Sequence, residues 1–298
     1  MNKITNIKFI EKQILTYAFK TYFKTPKTYL YSIFLPILFF CLFYLLKSSF
    51  GNENWETLYS QAWSLLPISC ICSLFTISNI IINWRESNFI SKIKILRIKK
   101  IHLFISFLIL SLVITYISTV VNIICGLIID LFLVNKNFTF GIQQLIYFDQ
   151  YVGIFFTISI MQIIIFSITY IFSFFINSPF RIQVLNLIFC LYMLFFGGVL
   201  INRTNFTDSF NNSIISQAIF YINPIDSSQW LYLFSCGRII NDSSNIVYIS
   251  DSLFSTIPYS IQDKYQDLTY EIPLCLTISG LWISIFAVIS VKLDIKKL

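Results

Sequence analysis

The side chains in this sequence that could do chemistry are mostly uncharged, and they lie inside long apolar runs. Ser69, Ser73, Thr76 and Asn83 recur at helical spacing in one run. Ser111, Thr115, Ser118 and Asn122 do so in a second, and Ser159, Gln162, Thr169, Ser173 and Asn177 in a third. Residues three, four or seven apart share a helix face, so each set makes a stripe of hydroxyls and amides. Such stripes either hydrogen-bond one helix to another in lipid or line a path for an amphipathic substrate. The candidates for a path are Ser73, Thr76, Thr115, Ser118, Asn122, Gln162 and Thr169.

Acid–base and metal chemistry have little to work with. His102 and Asp130 sit only at the ends of the second of these runs. Proton-coupled carriers and intramembrane proteases need ionisable groups in mid-bilayer. His-Glu-x-x-His and Gly-x-Ser-x-Gly patterns are absent, as is a Gly-x4-Gly-Lys-[Ser/Thr] loop to cradle ATP phosphates. The expectation is therefore a non-enzyme with no cofactor of its own. Of the seven cysteines, all but Cys236 fall in apolar runs without Cys-x2-Cys pairs, and they read as small hydrophobes rather than a disulfide or zinc framework.

The elements that must position these stripes follow from composition. The 298 residues are 56% hydrophobic and only 12% charged, with a mean hydropathy of +0.75. A soluble chain carries about 25% charged residues. Too few charges remain to cover a water-exposed body. Six stretches free of Asp, Glu, Lys and Arg each reach the roughly 17–25 residues that cross a bilayer. The backbone must satisfy its own hydrogen bonds in lipid, so these stretches are helices. The expected fold is all-α and integral to the membrane, with spans at about 29–46, 63–82, 103–127, 151–176, 182–201 and 272–291. Residues 1–28 precede this 29–298 transmembrane domain as an interfacial helix, and 202–271 form a large outer loop.

Charge sets the expected orientation. With the N-terminus inside, 16 of the 21 basic residues fall on inner segments, leaving Lys47, Lys136, Arg203, Arg238 and Lys264 outside. Of the acids only Glu11, Glu86 and Asp294 lie inside. This positive-inside bias places both termini in the cytoplasm. It also disposes of nucleic acid as the reason for the net charge of +7, because a phosphate-binding patch would not alternate sign with each span. The first apolar run is long enough to span and follows a polar, basic segment, which argues against a cleaved signal peptide.

Three segments outside the spans carry pattern. Ile7, Ile10, Ile14, Tyr17 and Ala18 form an apolar stripe among Lys8, Lys12 and Lys20, as in a helix lying among anionic headgroups, until Pro26 breaks it. In the inner loop after the second span, Phe89, Ile93 and Leu96 make a short stripe flanked by Lys92, Lys99 and Lys100. That loop is either a docking element for a cytoplasmic partner or only a topological signal. Residues 209–225 are free of charge but rich in Asn, and read as an interfacial or re-entrant helix on the outer side. Asn-x-Ser/Thr triplets such as Asn137-Phe138-Thr139 are chance matches in so Asn-rich a chain.

Lys24-Thr25-Pro26-Lys27-Thr28 before Phe34-Leu35-Pro36, then Trp84-Arg85-Glu86 through Leu96-Arg97, Phe196-Gly197-Gly198 and Asn223-Pro224-Ile225-Asp226 occur in this order, and together they resemble the permease subunit of ABC-2-type exporters. Lys24-Thr25-Pro26-Lys27-Thr28 leading into Phe34-Leu35-Pro36 is similar to that family's basic stretch before its first span. Trp84-Arg85-Glu86 through Leu96-Arg97 resembles its ATPase-contacting segment, with Asn88 where a glycine is usual. Phe196-Gly197-Gly198 is similar to its small-residue run, and Asn223-Pro224-Ile225-Asp226 before Trp230-Leu231 to its turn preceding a short outer helix. Together these features cover nearly the whole chain. The resemblance implies a plasma-membrane subunit that pairs with a second permease subunit, like or unlike, over separately encoded ATP-binding subunits. It assigns ATPase coupling to Arg85, Glu86, Phe89, Ile93, Leu96 and Arg97, and outward movement of an amphipathic substrate to the spans. Two other readings share the layout: a membrane-embedded enzyme acting on lipid or prenyl groups, and a non-transporting immunity or assembly protein.

Overall fold

The computed structural model describes residues 14–50, 65–87, 100–132, 148–176, 178–196, 223–236, 239–242, 245–248 and 261–292. Six of its helices are long and apolar enough to cross a membrane. The chain is a multi-pass membrane protein.

A short helix, α1, covers 14–24 and stops at Thr25. Helix α2 starts with Pro26 in its first turn and continues to Phe50. Proline suits that position because its missing N–H would have no intrahelical partner there. Pro36 lies deeper in α2, where it offers no N–H to the carbonyl of Ser32 and its ring crowds that carbonyl. The helix responds by widening into a π turn at Leu30–Phe34, in which the Leu35 N–H reaches back to the Leu30 carbonyl. Helix α3 runs over Ile68–Glu86 behind Pro67, α4 over Lys100–Phe132, α5 over Phe148–Phe175 and α6 over Pro179–Phe196.

Helix α7 spans Asp226–Cys236, after a turn in which the Asn223 side-chain oxygen accepts from the Ile225 N–H. A two-stranded antiparallel hairpin follows, pairing β1 (Ile239–Asp242) with β2 (Asn245–Tyr248). Helix α8, Ile261–Lys292, closes the described chain and contains Pro273.

The helices alternate in direction. Ser69 near the start of α3 meets Thr119 in the second half of α4, while Trp84 near its end meets Phe107 in the first half. One end of the bundle therefore holds α1, the C-termini of α3 and α5 and the N-terminus of α4. This is the basic end. The opposite end holds the C-terminus of α2 and the N-terminus of α5. Two apolar clusters fill the interior. One joins α2, α3, α5, α6 and α7 through Phe40, Leu66, Ile71, Met161, Cys190 and Tyr232. The other, at the basic end, joins α1, α3, α4 and α5 through Ala18, Ile80, Trp84, Phe107 and Phe166.

The spans differ from the expected bounds in instructive ways. The second begins at Ile68 rather than 63, since Pro67 supplies the helix start, and extends past 82 to Glu86. The fifth starts earlier, at Pro179, and is described as helix to Phe196; the rest of its expected range lies outside the described residues. The sixth is the last part of a helix that begins at Ile261, inside the segment read as outer loop. Residues 209–222 of the expected re-entrant segment lie outside the described residues. The helix that is described there, α7, starts just after it.

Candidate functional site

Helix α3 is the hub. Its spanning window is 83% buried, the most of any span. Its polar residues explain how a buried helix is held in lipid, where apolar surface alone gives no net attraction between helices. Three of its neighbours are met by polar side chains. Ser69 and Thr119 of α4 share a 2.6 Å bond. Ser73 and Gln162 of α5 face each other at 2.9–3.1 Å. On α6, Asn186 donates to the Ser78 hydroxyl at 2.8 Å and Gln183 to the Asn79 carbonyl oxygen at 2.9 Å.

At the basic end the same helix holds α1 and meets α4 and α5 again. The Trp84 indole N–H donates to the Thr21 hydroxyl of α1 at 3.2 Å, and its ring packs against Tyr17 and Phe107. The Arg85 guanidinium donates to the carbonyls of Ser173 and Ile176 at 2.7 and 2.9 Å. Those carbonyls end α5, so a cation there meets both unpaired acceptors and the negative end of the helix dipole. This is how α3 carries a charge to its last turn. Glu86, by contrast, is exposed.

Helix α1 is fixed from both sides. Ile14, Ala18 and Tyr22 are buried against the bundle. The Tyr22 phenol shares a 2.8 Å bond with Ser32 in the π turn, and its backbone carbonyl accepts from the Thr28 hydroxyl. Burial pushes the Tyr22 phenol above its usual range, with the Ser32 bond acting against that, so it stays neutral at physiological pH. Of the expected apolar stripe, Ile14 and Ala18 face protein while Tyr17 stays exposed, as do Phe23, Lys20, Lys24 and Lys27; Ile7 and Ile10 lie outside the described residues. An amphipathic period is the same whether lipid or protein covers it.

The seven path candidates divide in two. Ser73 and Gln162 satisfy each other, and Thr169 donates to the Ile165 carbonyl of its own helix. These three have partners within the protein. Thr76, Thr115, Ser118 and Asn122 are buried, yet their side-chain polar atoms have no hydrogen-bond partner in the protein. Of the coupling candidates, Arg85 turns inward to α5, and Phe89, Ile93, Leu96 and Arg97 lie outside the described residues.

Two features of the far end were not anticipated. Tyr44 of α2 donates its hydroxyl to the buried Asp130 carboxylate at the end of α4. Helix α7 wedges between α5 and α8: Ser227 bonds Ser279 at 2.9 Å, and Ser235 sits against Gly153. Ser279 lies well inside the sixth span and Gly153 near the start of the fourth, so α7 rises from within the bundle toward its surface. A Tyr facing an Asp is invisible at a separation of 86 residues. The Asn-Pro turn was the one available signal for α7.

Among the described residues, no three His, Cys, Asp or Glu side chains come close enough together to hold a metal ion. No family model and no curated protein matches the chain.

Proposed function

We propose that this chain is the membrane-spanning permease subunit of an ATP-driven exporter of the ABC-2 type, working with separate ATP-binding subunits and a second permease subunit in the cell membrane. The observation that carries the reading is the joint at the basic end of α3. There Trp84 and Arg85 tie the start of the inner loop to α1 and to the end of α5. A force applied to the loop beyond Glu86 passes directly into the most buried helix of the bundle and its partners. A permease needs this linkage between a nucleotide-driven partner and its spans, as a two-state element biased from outside. In this reading the basic end is cytoplasmic, as the distribution of Lys and Arg requires.

Within the coupling segment the roles separate. Arg85 is a positioning residue, while Glu86, Phe89, Ile93, Leu96 and Arg97 present the contact surface. The test is co-purification with the ATP-binding subunits of the same cell, together with ATP hydrolysis by the complex. The triple substitution Glu86→Lys, Phe89→Ala, Leu96→Ala should lose both, since each apolar anchor contributes about 1–3 kcal/mol. Full retention of both would reduce the loop to a topological signal. Purified chain alone should hydrolyse no ATP.

A further inference from the structure

Asn122 is 0% exposed, and neither its side-chain oxygen nor its nitrogen has a hydrogen-bond partner in the protein. Buried polar groups almost always find partners, and an amide wholly unmet inside a membrane bundle is costly. Asn122 is not isolated. Thr115 and Ser118 precede it at seven and four residues on the same face of α4, both buried and both with unmet hydroxyls. Neighbouring positions on α4 do find partners. Thr119 bonds Ser69 of α3, and Asp130, two turns beyond Asn122, accepts from Tyr44 of α2. The unmet groups therefore lie in the seam where α4 turns from α3 toward α2.

The facing wall has polar capacity too. Helices α2 and α4 run parallel. Counting two turns back from the Tyr44–Asp130 bond, roughly 12 Å along an α-helix, reaches Asn122 on α4 and Pro36 on α2. One turn before Pro36, Ser32 lies in the π turn with its hydroxyl already bonded to Tyr22. Pro36 has no N–H to offer the Ser32 carbonyl, and the π turn at Leu30–Phe34 that precedes it packs on α4. Between these walls the stripe offers amide and hydroxyl donors and acceptors and no formal charge.

We infer that this seam binds the uncharged, hydroxyl- or amide-bearing head of an amphipathic molecule, with Asn122 as its central hydrogen-bonding residue. Its role as a substrate site rests on the exporter reading; the binding itself needs no ATPase. The chemistry selects against carboxylate and ammonium heads, because nothing in the Thr115–Ser118–Asn122 stripe balances a charge taken out of water.

The test uses the full chain in phosphatidylcholine nanodiscs and a monoacylglycerol probe carrying a diazirine beside its ester. Irradiation followed by peptide mapping should show saturable labelling at residues 115–122 of α4. Unlabelled monoacylglycerol should displace it, while a fatty acid and an alkyltrimethylammonium of equal chain length should not. Asn122→Leu should weaken labelling about tenfold, the loss of one or two neutral hydrogen bonds, without lowering the melting temperature. Ser118→Ala should weaken it less, and Asn122→Gln should restore part of it. Non-saturable labelling confined to the exposed face of Ile117, Val120, Ile124 and Ile128 would overturn the proposal. So would equal displacement by the charged amphiphiles, or labelling unchanged in Asn122→Leu, which would leave the seam with water alone. Loss of the site with ATP-binding subunits still co-purifying would sink this inference and leave the exporter reading standing.

Discussion

Helices α3 and α8 are both spans, yet they use the membrane in opposite ways. The α3 window has a mean hydropathy of 1.3 and is 83% buried; that of α8 has 1.9 and is 11% buried. In water the more apolar helix would be the buried one. In lipid the order reverses, because hydrocarbon solvates leucine as well as protein does and only polar groups gain by being enclosed. Helix α3 carries Ser69, Ser73, Ser78, Asn79, Trp84 and Arg85 to partners on four other helices. Helix α8 turns Leu281, Ile285 and Val288 outward and meets its neighbours chiefly through Ser279, Trp282 and Phe286.

Substitutions can break that comparison, and the largest effect falls on tryptophan. Trp84→Ala empties a fully packed site and removes a hydrogen bond, and should cost about 3–5 kcal/mol in reversible unfolding from mixed micelles. Leu281→Ala on α8 should cost under about 1 kcal/mol, since Leu281 is exposed and lipid fills the space it leaves. Equal losses would contradict the assignment of faces. Next in size is Arg85→Ala, which removes a charged cap from α5 and should cost about 1.5–3 kcal/mol. Its signature is faster amide exchange in the last turn of α5, with that of α6 unchanged.

Glycines sharpen the contrast further. A Cβ at Gly153 would lie 2.9 Å from both Cβ and Oγ of Ser235, while one at Gly280 meets nothing within 4 Å. Gly153→Ala should therefore push α7 off α5 and destabilise by about 1–3 kcal/mol. Gly280→Ala should be neutral or stabilise by up to about 1 kcal/mol through helix propensity. The smallest effect is the Ser73–Gln162 coupling, which a double-mutant cycle with Ser73→Ala and Gln162→Leu should place near 0.6 kcal/mol and below about 1.7. A cycle at zero would mean that these groups do not meet.

The charge-free runs made the six spans legible, and Pro26 announced the break between α1 and α2. Hydropathy could not tell which span is central. A window sees how much apolar surface a helix has, and in lipid that does not decide its neighbours. The stripes of Ser, Thr, Asn and Gln held that information, since the helix with polar residues on several faces must be enclosed. Side-chain pairing stayed hidden: Ser73, Gln162 and Asn122 look alike in sequence, yet two are partners and the third is unmet. The consequence of Pro36 was readable in kind but not in form, because a proline can kink a helix or widen it into a π turn.

The central claim is that protein encloses α3 while lipid covers α8. Tryptophan quenching by brominated phosphatidylcholine tests it, using two single-tryptophan variants, one that keeps only Trp84 and one that carries Leu281→Trp on the exposed face of α8, with phenylalanine at every other native tryptophan position. Bromines placed near the headgroup in one lipid and near the chain end in another remove depth as a confounder. The account predicts strong quenching of the tryptophan at position 281 by at least one lipid and weak quenching of Trp84 by both. Trp84 quenched as strongly as the tryptophan at position 281 would mean that α3 faces lipid and is not the hub of the bundle.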